Sequence, residues 1–136
     1  MDGQHLTADL SGCPLAVPAM TEPAALRELC LDAVKDAGLR PVAELFHRFE
    51  PVAAAASASA PPGITGVVLL AESHLAVHTW PELGAVTLDV YVCNVGGDNS
   101  ARAHRLLEVL CGAFSPASID RQSLRRGRIG NQRASP

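Results

Sequence analysis

No two cysteines form a CxxC pair: Cys13, Cys30, Cys93 and Cys111 are scattered singly along the 136 residues. That spacing removes the strongest zinc signature. The N-terminus lacks a charged start followed by an apolar block, so no secretory leader is expected. The expected location is therefore cytoplasmic, with all four thiols reduced. Apolar runs such as Val67 to Ala71 are far too short to span a bilayer, so no membrane partner is expected. Charge of one sign is also lacking: 11 Lys and Arg against 14 Asp and Glu leave a net charge of −3 and no reason to expect nucleic acid. One basic run, Arg121, Arg125, Arg126 and Arg128, sits among Gly, Ser and Asn without interleaved aromatics. Residues 121–136 are thus expected to be a disordered tail. The length suits one domain, 1–136, with a real core.

Several segments show a clear period. His5 to Leu10 alternates, with Leu6, Ala8 and Leu10 on one side, which is a strand pattern. Thr21 is a plausible N-cap with Pro23 in the first turn, and Leu26, Leu29, Cys30, Ala33, Val34 and Ala37 recur at helical spacing up to Gly38. A second strand is expected over Pro41 to Phe49, a third over Val67 to Ala71 and a fourth over Val86 to Cys93. In the fourth, Thr87, Asp89, Tyr91 and Cys93 face away from Leu88, Val90 and Val92. Residues 53–62 are almost all Ala, Ser and Pro, with nothing large to bury, and read as a flexible loop. Asn99 or Ser100 caps a second helix with Ala103, Leu106, Leu107, Leu110 and Phe114 on its buried stripe. This order predicts an α+β two-layer sandwich, a mostly antiparallel sheet with its helices on one face. The other face then has no cover within the chain, so a homodimer or larger assembly is expected.

The densest chemistry lies between Ala71 and Glu82, where two His, two carboxylates, a Ser and the only Trp follow an apolar strand. From the residues themselves three readings stand. His74 and His78, with His47 or Cys93, would suit a metal on a helix, but Pro81 follows closely, and on a strand the two rings lie about 13 Å apart. Ser73 would suit a hydrolase nucleophile, but the G-x-S-x-G elbow is missing. Third, the histidines would simply satisfy backbone groups at strand ends.

Glu72-Ser73-His74, then His78-Thr79-Trp80-Pro81-Glu82, then Asp89 and Cys93, resembles the signature of the bacterial and archaeal S-adenosylmethionine decarboxylase proenzymes. The likeness extends to His5-Leu6 with Ala8-Asp9-Leu10 and Gly12-Cys13, to Phe46-His47-Arg48-Phe49 with Pro51, and to Gly63 through Val68, covering most of residues 4–112. The resemblance implies that the chain cuts itself between Glu72 and Ser73, giving a β chain 1–72 and an α chain 73–136. The Ser73 hydroxyl attacks the Glu72 carbonyl, Thr65 is the candidate helper, and His78 is the implied base for the Ser73 α-proton. A pyruvoyl group is left on the new N-terminus as the only cofactor, with no metal. Such a ketone forms an imine with the substrate amine and takes up the electron pair released with carbon dioxide. Cys93 is the implied acid that protonates the resulting carbanion. Glu82 is implied to hold a ribose, and Phe49 to stack on adenine across a subunit interface. His74 is more structural than catalytic on this reading, and Trp80 is either core or site.

The implied reaction is decarboxylation of S-adenosylmethionine, yielding the aminopropyl donor for spermidine synthesis. Two departures from the family pattern bear on it. The Ala/Ser/Pro stretch lengthens a connection that is normally very short, a change a fold tolerates cheaply. Leu83-Gly84-Ala85 stands where the family usually shows Tyr-Gly-Tyr, which alters the wall beside Glu82. The alternatives are a pyruvoyl-dependent decarboxylase of arginine or ornithine and a non-catalytic regulatory homologue.

Overall fold

The computed structural model describes residues 2–50, 61–94 and 96–127. The alternating first segment forms strand β1 (Gly3–Ser11), followed by a 3-10 turn at Pro18–Met20 and helix α1 (Pro23–Asp36). Glu22 occupies the position before α1, while Thr21 closes the preceding turn, so the helix starts one residue later than its hydroxyl suggested. Gly38 takes a left-handed φ of 82°, which ends α1 at little steric cost. Strand β2 (Pro41–Arg48) precedes the undescribed residues 51–60, so most of the expected loop 53–62 lies outside the described residues. Strands β3 (Ile64–Leu70) and β4 (Ser73–Trp80), a 3-10 turn at Pro81–Leu83, strand β5 (Ala85–Cys93), helix α2 (Ser100–Ala113) and strand β6 (Ser118–Arg126) complete the order.

All strand pairs are antiparallel, in the order β2-β3-β4-β5-β1-β6. Both helices pack on one face, giving the expected α+β sandwich. Alternation sends Leu6, Ala8 and Leu10 of β1, and Val86, Leu88, Val90 and Val92 of β5, into one core with Leu26 and Val34 of α1 and Leu106 and Leu110 of α2. Phe114, fully buried, closes this core at the end of α2. Each of the buried Leu, Val and Phe side chains contributes about 1.5–3 kcal/mol by leaving water. Gly66 has no Cβ to meet the Phe46 ring, which would lie 2.3 Å away, so the edge strand β2 can press its aromatic onto the sheet.

One expectation is overturned. Residues 121–126 are not a disordered tail but most of β6, paired with β1 from Gly3↔Arg126 to Ser11↔Ser118. The strand is held by Ile119 against the core and by Arg121, which reaches Glu108 of α2 with two bonds of 2.7 Å. Its charge is that of an edge strand, where cationic side chains discourage further pairing.

The face opposite the helices has no cover within the described chain. Leu45 of β2, Leu69 of β3 and Leu124 of β6 are 68%, 47% and 60% exposed there.

Candidate active site

β3 and β4 are joined by the shortest of hairpins. Leu70 pairs with Ser73, so only Ala71 and Glu72 form the loop. Glu72 carries a φ of +58°, one of two non-glycine residues with positive φ among those described. A side chain in that left-handed region costs roughly 1–2 kcal/mol. The strain therefore sits on the residue whose carbonyl precedes Ser73. Ser73 Oγ accepts the Cys93 backbone N–H at 3.1 Å, which ties the start of β4 to the end of β5. On its other side, the Cys93 carbonyl accepts from Asn99 Nδ2 at 2.9 Å, and Asn99 is the residue before α2. Cys93 is thus pinned through both backbone groups, while its thiol lies 3.3 Å from the Tyr91 hydroxyl.

The other thiols are of a different kind. Burial pushes Cys30 up to about 12 and Cys111 up to about 11, and it also raises Cys13. These three are packing groups inside the core.

At the far end of the sheet a second group assembles. Thr65 Oγ1 and His78 Nδ1 are 3.1 Å apart across the β3–β4 ladder, and His47 continues the row on β2. Phe49 donates its backbone N–H to the Gly63 carbonyl at 3.0 Å and sets its ring edge-on to His47, centroids 5.3 Å apart. Glu82 lies at this same end, exposed in the 3-10 turn after Trp80.

The expected site residues are therefore brought together in two sets, not one. Glu72, Ser73 and Cys93 stand at one end of β4 and β5; Phe49, Thr65, His78 and Glu82 stand at the other. His78 follows Ser73 by five residues on an extended strand, a separation of about 16 Å at roughly 3.3 Å per residue, and alternation turns the two to opposite faces. Within one chain, His78 serves Thr65 and does not reach the Ser73 α-proton.

Sequence reading missed a further cluster beside Cys93. His5 Nε2 bonds Asp89 Oδ1, and the His5 and His74 rings lie 5.9 and 5.7 Å from that of Tyr91. Arg126 of β6 stands 5.5 Å over the same Tyr91 ring. The period-2 facing of Tyr91 with Cys93 was a usable signal; the presence of Arg126 was not, because β6 itself went unrecognised.

Fold and site together define an α+β domain with a strained Glu-Ser hairpin beside a strand-end thiol. Residues 4–127 match the family model for S-adenosylmethionine decarboxylase, and the chain belongs to that family. It is 40% identical over 125 residues to the S-adenosylmethionine decarboxylase proenzyme of Aquifex aeolicus, covering 92% of this chain and 81% of the relative. The proenzyme of the same name from Archaeoglobus fulgidus is 34% identical, covering 92% of this chain and 97% of the relative. The crystal structure of the adenosylmethionine decarboxylase from Aquifex aeolicus superposes with a TM-score of 0.75 at 37% identity, covering 92% of this chain and 90% of that one. A Trypanosoma brucei AdoMetDC structure shares the fold alone, with a TM-score of 0.54 at 12% identity over 87% of this chain and 44% of that one.

Proposed function

We propose that the chain cleaves itself between Glu72 and Ser73 and then, as a dimer, decarboxylates S-adenosylmethionine through the pyruvoyl group formed from Ser73. The observation that carries this reading is the left-handed backbone at Glu72, directly before the serine that opens β4. An amide is ordinarily more stable than the ester an internal acyl shift makes from it, so the fold must raise the energy of that one peptide. Strain at Glu72 does so. The Ser73 Oγ and the Glu72 carbonyl are neighbours in one chain, and intramolecular attack of this kind lowers a barrier by about 7–11 kcal/mol when well oriented. Loss of the Ser73 α-proton then expels the Glu72 carboxylate, and hydrolysis leaves a ketone on the α chain, 73–136.

That ketone supplies the electron sink for decarboxylation. The residues on hand suit it: it forms at the start of β4, beside the end of β5 where Asn99 holds the Cys93 carbonyl. The thiol stands ready to give its proton to the substrate carbon after carbon dioxide departs.

The two sets of residues, at opposite ends of the sheet, are united by a second copy of the chain. A two-fold axis lying between two stacked open faces and running across the strands reverses the strand direction. It brings Thr65 and His78 of the partner subunit to the strand end that carries Ser73 and Cys93 of the first, with Glu82 and Phe49 of the partner subunit on the substrate side. The exposed Leu45, Leu69 and Leu124 are covered by the same step.

A second reading has one observation in its favour. Leu83 is 69% exposed beside Glu82, and Ala85 follows, so these two positions add no aromatic to the wall near the proposed ribose site. A pyruvoyl-dependent decarboxylase of arginine or ornithine would use such a pocket. Release of carbon dioxide from S-adenosylmethionine, arginine and ornithine, assayed side by side, separates the two. S-adenosylmethionine is expected to be the substrate with the highest kcat/KM; a higher value for either basic amino acid overturns the substrate assignment.

A further inference from the structure

We infer that Tyr91 is a positioning residue for Cys93, its hydroxyl holding the thiol in place and then donating to the thiolate left behind when the proton has been delivered. The inference rests on the proposed role of Cys93 as proton donor. The hydroxyl lies 3.3 Å from Cys93 Sγ, within hydrogen-bond reach for sulfur. The two residues are two apart on β5 and so share the open face.

The ring is held from three directions. Gly3, paired with Cys93 on the neighbouring strand, leaves the space the ring fills: a Cβ there would lie 2.9 Å from both the Tyr91 Cε1 and its hydroxyl oxygen. Arg126 stands over the ring face at 5.5 Å and also reaches His5 Nδ1 at 3.2 Å. The His5 ring meets Tyr91 edge-on, and the His74 ring lies tilted beside it. These contacts fix the ring, as they would fix a phenylalanine; what the hydroxyl adds is its contact with Cys93 Sγ.

A phenol suits the task because its single hydrogen can turn. In the resting state the thiol donates to the Tyr91 oxygen; once Cys93 has formed the new C–H bond at the substrate carbon and become a thiolate, the phenol O–H donates to sulfur. The phenol keeps its own proton throughout, and the thiolate regains one from water before the next cycle. The hydrogen bond to Cys93, followed by burial, holds the phenol's ionisation above its ordinary range, which keeps it a donor.

Tyr91→Phe keeps the ring and deletes the hydroxyl. The variant is expected to cleave into two chains as the unmodified protein does, with KM within about twofold and kcat lowered about tenfold. A second readout needs no turnover. In the Ser73→Ala chain, which forms no ketone, alkylation of Cys93 by iodoacetamide at one fixed pH, located by peptide mass, is expected to slow several-fold on adding Tyr91→Phe. Gly3→Ala, which displaces the ring and leaves the hydroxyl chemistry intact, is expected to give the same pattern. Should Tyr91→Phe fail to assemble, Gly3→Ala decides the matter by the same two measurements. An unchanged kcat or an unchanged alkylation rate overturns the inference. Cys93→Ala is the control: full activity in that variant sinks the proton-donor assignment itself and the inference with it, whereas a dead Cys93→Ala beside an unaffected Tyr91→Phe sinks the inference alone.

Discussion

Glu72 holds a backbone conformation that glycine adopts freely and that glutamate adopts only under constraint. Replacing it by glycine relieves the constraint, so Glu72→Gly is expected to stabilise the uncleaved fold by about 1 kcal/mol while slowing cleavage. Thermal melts in a Ser73→Ala background and a gel time course of the cleaving chain measure the two effects. Cys93→Ala touches the later step only: two chains are still expected on the gel, with most decarboxylation lost. At this scale motif and chemistry singled out Ser73, Cys93, Thr65 and His78, and the last two, named for separate tasks, lie 3.1 Å apart across the β3–β4 ladder. Less legible was distance. Five residues look close in a row of letters, and only the extended form of β4 shows that Ser73 and His78 stand at opposite ends.

Elements with a strong period were easy to read: β1, β5 and both helices fall within a few residues of where alternation or the 3.6 spacing put them. β6 was not, because its sequence offers only Ile119 and Leu124 as apolar side chains and the rest is polar or charged. What fixes it is pairing with β1 together with the contact between Arg121 and Glu108, neither of which leaves a periodic trace. That contact gives β6 a pH dependence. The hydrogen bond from Arg121 lowers the Glu108 carboxyl below its ordinary range, so its stabilisation is present above the unfolded value of about 4.3 and is lost as pH falls through the lower folded value. Because the pair is exposed the effect is small. Hydrogen exchange of the β6 amides, corrected for the intrinsic pH dependence, is expected to become less protected below about pH 4. In Glu108→Gln that change should be absent.

For the whole molecule, the open face of the sheet was foreseeable from the one-sided placement of helices, and the proposed dimer gives the two sets of residues a reason to be apart. Leu45→Asp or Leu69→Asp puts a charge on that face and is expected to halve the mass seen by analytical ultracentrifugation without unfolding the chain. A complementation follows as well: Ser73→Ala and His78→Ala chains, each uncleaved alone, are expected to yield cleaved His78→Ala protomers when co-expressed. If only uncleaved chains emerge from the mixture, the site is not shared between copies. The most direct measurement of all is the intact mass of the purified, unmodified protein. Two polypeptides are expected, one ending at Glu72 and one beginning with a pyruvoyl group at position 73; a single uncut polypeptide in preparations that release carbon dioxide would contradict the account at its root.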